Sequence, residues 1–178
     1  DFEILSSNSS FDNFSVTSSN PNGEITLLCM EQALSKANLT LEMLTCIKAH
    51  ATGSENSNLS EVTAIDKLFK KHKQKTDVVI LKPYIVHTLG ACGSNEIVLL
   101  TESIKNNLLP KTINFYEKYE NVDFTPLLEN KYINKGTILF HFIGFGVYKC
   151  GGGKTDGLII GVGHSTFYYT RGLGPKQI

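Results

Sequence analysis

The sequence predicts an α/β layer structure, a sheet packed against helices. Three observations carry that prediction. Four short apolar runs have the length of buried strands: Leu44 to Ile47, Val78 to Leu81, Ile138 to Ile143 and Leu158 to Val162. Between the earlier runs, apolar residues recur at the three- and four-residue spacing of a helix face. The first two runs each stop at a polar loop, the expected punctuation of alternating strands and helices.

Residues 1–21, rich in Ser and Asn, read as an irregular arm at the edge of a larger domain. Asn22-Gly23 marks a turn. A helix of about 12 residues follows, with Ile25, Leu28, Cys29 and Ala33 at helical spacing. The strand Leu44 to Ile47 ends at Lys48-Ala49-His50 and gives way to a polar loop, Ala51 to Asn58. A second helix is expected from near Ser60, with Val62, Ile65, Phe69 and His72 along one face. The strand Val78 to Leu81 stops at the loop Lys82 to His87. A third helix runs from Gly90 to Asn106 with Ile97, Leu100 and Ile104 inward, and Pro110 ends any continuation. Residues 110–135 show little periodicity. The organisation is therefore one domain over 22–163, with residues 164–178 as an extension.

The 178 residues suffice for one domain, and 41% apolar content can fill its core. Seventeen basic and seventeen acidic residues balance, so no overall field draws nucleic acid or an anionic membrane. The local cluster Lys67, Lys70, Lys71, Lys73 and Lys75 reads first as a solvated helix end. Its sharper reading is a dock for an acidic carrier protein. No segment approaches the roughly 20 apolar residues of a membrane helix, and no signal peptide is seen. Cys29, Cys46, Cys92 and Cys150 form no C-x-x-C pair, so neither a zinc site nor a disulfide frame is expected. Reduced thiols in a soluble intracellular compartment fit best, a cytoplasm or a plastid-type organelle.

In layered α/β sheets the loops at the carboxyl ends of strands gather at one edge, where ligands bind. His50 and the Lys82–His87 loop both follow predicted strands, so they are expected to share one site. Three segments stand out there: Ala49-His50-Ala51-Thr52-Gly53-Ser54 with Asn58 and Glu61; Lys82 through Gly93 with Glu96; and Phe142-Ile143-Gly144-Phe145-Gly146, followed by Gly151 to Gly157. Each alone is weak. A histidine at a strand end is usually a packed residue, a glycine-rich turn is usually geometry, and Glu61 on a helix is usually at the surface.

Together and in order, the segments resemble the β-ketoacyl synthases of the thiolase-like superfamily. The pattern A-H-G-T-x-T-x-x-x-D-x-x-E is similar to His50 through Glu61. The pattern K-x-x-x-G-H-x-x-G-A-x-G is similar to Lys82 through Gly93. The pattern F-G-F-G-G-x-N-G is similar to Ile143 through Gly157, with an insertion at Val147 to Cys150. The stretch Asp12 to Gly23, with Thr17, resembles the segment preceding the first histidine of that family. The resemblance spans residues 10–160.

The resemblance implies the C-terminal half of a thiolase-like enzyme, a mixed sheet layered with helices. It implies decarboxylative condensation of malonyl-carrier protein with an acyl thioester, in fatty acid or polyketide elongation. His50 and His87 would donate hydrogen bonds to the malonyl thioester oxygen where negative charge develops. Lys82 would be a fixed cation paired with Glu61. Thr52, Ser54 and Thr17 would bind the phosphopantetheine arm of acyl carrier protein, and Phe145 would gate the acyl pocket. No resident cofactor or metal is implied. The expected partners are acyl carrier protein, an N-terminal half or partner subunit, and a second copy in a homodimer.

The departures matter as much. Ala51 and Val86 stand where the family has glycine, and positive φ there would cost about 1 kcal/mol or more. Asn58 replaces an aspartate and Ser54 a threonine. The family nucleophile, a cysteine in a strand-to-helix turn, lies in the N-terminal half. None of these four cysteines has that context, although Cys92 sits at a helix start, where a thiol pKa can fall. This chain alone is therefore expected to be inactive. Gly151-Gly152-Gly153-Lys154-Thr155 resembles the end of a phosphate-binding loop, but Tyr148 stands where a glycine is needed and an apolar strand-like run follows. The alternative to an acyltransferase half is a non-catalytic ketosynthase-like partner, favoured by the lost glycines.

Overall fold

The computed structural model describes residues 2–15, 18–134, 136–144 and 167–171, with residues 2, 3 and 167–171 as backbone. Thr17, Phe145, Cys150 and the run Leu158 to Val162 lie outside the described residues. In chain order the elements are β1 (Phe2–Ile4), α1 (Glu24–Lys36), a 3-10 turn (Leu41–Met43), β2 (Cys46–Ala49), α2 (Glu55–His72), β3 (Asp77–Ile80) and α3 (Lys82–Ile85). A second 3-10 turn (Leu89–Ala91), α4 (Cys92–Lys105), β4 (Leu108–Leu109), β5 (Lys131–Tyr132), β6 (Thr137–Phe140) and β7 (Phe167–Arg171) complete them.

Five strands form one mixed sheet in the order β1-β7-β6-β2-β3, and β4 pairs with β5 in a separate ribbon. β2 is an interior strand, parallel to β3 and to β6, while β7 runs antiparallel to both β6 and β1. The arm and the extension thus each contribute a strand to the sheet.

Side chains alternate across a strand, and that parity sorts the core. Ile47, Ala49, Val78 and Leu139 face one side and pack against Met30, Ala33 and Leu34 of α1 and Ile65, Leu68 and Phe69 of α2. Cys46, Val79, Ile138 and Phe140 face the other side and pack against Leu100 and Ile104 of α4. By the same alternation Lys48 lies on the α4 side with Cys46, and His141, just past β6, lies on the α2 side with Leu139.

Among the described residues the expected helices and strands are present with shifted ends. β2 begins two residues late because the 3-10 turn Leu41–Met43 leads into it. α2 begins at Glu55, well before Ser60. Its first inward residues are Ser57 and Ser60, both buried, so the apolar period starts only after the helix has begun. The loop expected over Lys82–His87 holds the single-turn helix α3.

The turn at Asn22-Gly23 is where α1 crosses α2. Gly23 has φ 67°, and a β-carbon there would lie 2.5 Å from the Ser60 carbonyl oxygen and 2.8 Å from the Ala64 nitrogen. Left-handed strain and backbone overlap act together, so Gly23→Ala is expected to destabilise the fold by at least roughly 2 kcal/mol. Denaturant unfolding checks this; a midpoint equal to wild type would contradict the close crossing.

Among the described residues, no helix is long and apolar enough to cross a membrane. The basic end of α2 is engaged within the chain: Lys67 donates to the Asn22 carbonyl, Lys70 pairs with Asp66 and Asp123, Lys71 pairs with Glu31, and Lys75 donates to the Asp123 carbonyl. That is the solvated-helix reading of the cluster.

Candidate active site

β2 delivers His50 to the carboxyl edge of the sheet, where its side chain is 3% exposed. Glu61 of α2 reaches back and holds the turn. Its Oε1 accepts the His50 N–H at 2.6 Å, and its Oε2 accepts the Ala51 N–H at 2.8 Å. His141 donates from Nδ1 to the same Oε1 at 2.5 Å. Burial alone would push the Glu61 carboxyl up, but the hydrogen bonds from His141 and the two amides outweigh it and hold it at about 2. Ala51 takes φ 43°, the left-handed conformation that favours the glycine it replaces. The expected pairing of Glu61 with Lys82 is not made. Glu61 spends its carboxylate on His141 and the backbone of the His50 turn.

Lys82 of α3 pairs instead with Glu96 of α4. Its Nζ lies 3.1 Å from Glu96 Oε1, 3.1 Å from His50 Nδ1, and against the His50 carbonyl oxygen. Lys48, fully buried on β2, makes the shorter bond to Glu96, 2.6 Å to Oε2. Its ammonium also lies 4.0 Å from the Phe142 ring centroid. Burial pulls the Lys48 amine down to about 8, and Glu96 opposes that shift.

Cys92 opens α4 and donates from Sγ to Glu96 Oε2 at 3.3 Å. Burial, with Glu96 adding to it, pushes this thiol up and outweighs the lowering by Lys82 and Lys48. The lowered pKa allowed by its helix-start position is therefore not realised. Cys29, Cys46 and Cys92 are buried and unbridged. His50, Cys92 and Glu96 present donor atoms within 4.8 Å of one another, a spacing a metal can use. The Lys82 ammonium, in contact with two members of that set, already supplies a cation there.

His87 follows the strained residue Val86, which has φ 56° and is 71% exposed. The backbone N–H of Leu89, itself at φ 50°, donates to His87 Nδ1 at 3.1 Å. The His50 and His87 rings stand edge to face with centroids 5.4 Å apart. Their tautomers follow from their partners. An ammonium and an amide N–H can only donate, so Nδ1 accepts in both rings. Each neutral ring then carries its proton on Nε2. Burial, with the nearby lysines, lowers the pKa of both and keeps them neutral.

Beyond His50 the chain makes a tight polar turn. Thr52 Oγ1 and Ser54 Oγ are 3.1 Å apart, and Gly53 takes φ 84°. The Gly53 N–H donates to Asn58 Oδ1 at 3.2 Å; an amide oxygen serves there as a carboxylate would. Asn56 Nδ2, in the first turn of α2, donates to Ser18 Oγ at 3.3 Å. Thr17 and Phe145 themselves lie outside the described residues.

The structure thus brings His50, His87, Lys82 and Glu61 to one edge, with Thr52 and Ser54 beside them. Sequence reasoning missed Lys48 and His141 as members of the cluster, and noted Glu96 beside the second segment without giving it a role. The available signal was a charged residue on an otherwise apolar interior strand, which demands a buried counter-charge.

Comparison with known proteins places this architecture. The family described as "Beta-ketoacyl synthase, C-terminal domain" matches residues 2–116. The chain is 32% identical over 146 residues to a "3-oxoacyl-[acyl-carrier-protein] synthase 2" of Coxiella burnetii, covering 81% of this chain and 35% of that one. It is 30% identical over 121 residues to the "3-oxoacyl-[acyl-carrier-protein] synthase II, chloroplastic" of Arabidopsis thaliana, covering 68% of this chain and 22% of that one. Among solved structures it is similar to a type II polyketide ketosynthase in complex with its acyl-carrier protein, with TM-score 0.73, 19% identity, and coverage of 94% of this chain and 38% of that one. The chain spans about a third or less of the length of these two relatives, 35% and 22%.

Two outcomes follow from the site geometry. The folded Glu61 carboxyl sits at about 2 against an ordinary 4.5, so its contribution is full above pH 4.5 and is lost as pH falls toward 2. Up to about 3 kcal/mol of stability should drain across that window, and Glu61→Gln should flatten it; an unchanged slope in pH-dependent melts would contradict the role given to this carboxylate. Val86→Gly should relieve left-handed strain at an exposed position and raise stability by roughly 1 kcal/mol. Thermal unfolding checks this, and a lower melting temperature would contradict it.

Proposed function

This chain belongs to the β-ketoacyl synthase family as a C-terminal, thiolase-like domain, and from that premise we propose that it is the C-terminal part of a 3-oxoacyl-[acyl-carrier-protein] synthase. The observation that carries the reading is the pair of neutral imidazoles with ring centroids 5.4 Å apart, each with its proton on Nε2. Two such donors suit one oxygen that gains negative charge.

In this reading malonyl-carrier protein enters and the bond between its α-carbon and its carboxylate breaks. Carbon dioxide leaves, and the electron pair stays as an enolate with charge on the thioester oxygen. His50 and His87 donate to that oxygen. The enolate carbon then attacks an acyl thioester on a cysteine, the new carbon–carbon bond forms, and the cysteine leaves as thiolate. An N-terminal half supplies this cysteine. Lys82 fixes the His50 ring and adds positive potential, while Glu61 and Glu96 hold the two sides in place. Thr52, Ser54 and Thr17 bind the phosphopantetheine arm of the carrier protein, and Phe145 gates the acyl pocket. Val86 and Leu89, which are 71% and 80% exposed, flank His87 in the chain with apolar surface suited to the N-terminal half. Acyl carrier protein and a second copy are the further partners, in a bacterial cytoplasm or a plastid-type organelle.

The alternative of a non-catalytic partner drew on the lost glycines. Ala51 and Val86 nevertheless hold left-handed φ, a strain retained around the two histidines, and that supports the catalytic reading.

The isolated chain should show no condensing activity and no stable acyl adduct on Cys92 by intact mass. Joined to its N-terminal half, it should release carbon dioxide from malonyl-carrier protein, and His50→Ala or His87→Ala should each reduce that rate at least roughly 100-fold. Wild-type rates in either variant would remove the proposed oxyanion role.

A further inference from the structure

Two buried ammoniums share one carboxylate beside His50, and they share it unequally. Glu96 Oε2 is 2.6 Å from Lys48 but 3.3 Å from Lys82, and Glu96 Oε1 is 3.1 Å from Lys82. Lys82 turns its remaining donors to His50, to Nδ1 at 3.1 Å and to the carbonyl oxygen. An ammonium has three protons and binds a carboxylate more strongly than a neutral nitrogen. If Glu96 were free to take its best geometry with Lys82, the Lys82–His50 contact would be the one to lengthen.

Lys48 prevents this. It emerges from β2 on the α4 side, is 0% exposed, and is held between Glu96 and the Phe142 ring. It has no path to solvent or substrate, so it is not a catalytic group. We propose that Lys48 is a positioning residue: by taking the short bond to Glu96 it leaves Lys82 to hold the His50 imidazole with its proton on Nε2. This inference rests on the reading of His50 as an oxyanion donor, but its test does not depend on that reading.

The test reads the ring nitrogens of His50 in the 15N-labelled 178-residue chain by long-range 1H–15N correlation at neutral pH. Wild type should show an unprotonated Nδ1 and a protonated Nε2. Lys48→Met removes the charge and keeps the length of the side chain; it should shift His50 toward the Nδ1–H form or a mixture. Lys48→Gln, also neutral, should do the same and stands in if the Met variant does not fold. Lys82→Met should give the same displaced tautomer by removing the donor itself. A purely structural Lys48 would lower the melting temperature and leave the ring as in wild type. A wild-type His50 tautomer in either folded Lys48 variant overturns the proposal. If that happens while His50→Ala still stops decarboxylation in the complete protein, only this inference fails. If His50→Ala leaves decarboxylation intact while the Lys48 variants shift the tautomer, the functional reading fails and the positioning role stands.

Discussion

A charge taken out of water must meet its opposite, and this domain places four of them behind one imidazole. Lys48, Lys82, Glu61 and Glu96 are all buried, and none is tolerable alone. The sheet parity separates them into two sets. On the α4 side, Lys48 and Lys82 converge on Glu96. On the α2 side, Glu61 meets His141 and the amides of the His50 turn. His50 is where the sets join: one grips its ring and carbonyl, the other its backbone N–H. The position of the imidazole is thus fixed by interactions from both faces of the sheet. Deleting Glu96 would leave two buried ammoniums without their shared counter-charge, which is why these residues act as a unit.

The second constraint is backbone strain. Ala51, Val86 and Leu89 occupy left-handed conformations at φ 43°, 56° and 50°. For a β-branched residue such as Val86 this is a genuine outlier. All three lie next to the imidazoles, and no regular secondary structure requires them. They set the direction in which the chain presents His50 and His87, so the strain is carried by the site and compensated by the packing around it. Val86 and Leu89 are also exposed, so this strain is borne at the surface of the site.

The layered architecture was legible because strand-length apolar runs and helical spacing alternate through residues 22–109. The start of α2 is not legible because its first buried residues are Ser57 and Ser60, and serine carries no apolar signal. His50, His87, Lys82 and Glu61 could be picked out from ordered motifs. Their partners could not. Lys48 and Glu96 lie 48 residues apart, and His141 and Glu61 lie 80 apart. Only the register of β2 with β3 and β6, together with side-chain alternation, decides which charges face which helix. The pairing of Lys82 with Glu61 is what the family resemblance implies. It fails because a nearer demand, the two amides of the His50 turn, claims the Glu61 carboxylate.

The proposed chemistry needs two imidazoles presenting Nε2–H groups to a common oxygen. Its most direct test is a crystal structure of the chain joined to its N-terminal half, holding a malonyl-pantetheine amide that cannot lose carbon dioxide. The predicted result is an amide carbonyl oxygen at about 2.7–3.2 Å from Nε2 of both His50 and His87. A carbonyl oxygen held by one ring alone, or bound away from both, would contradict it.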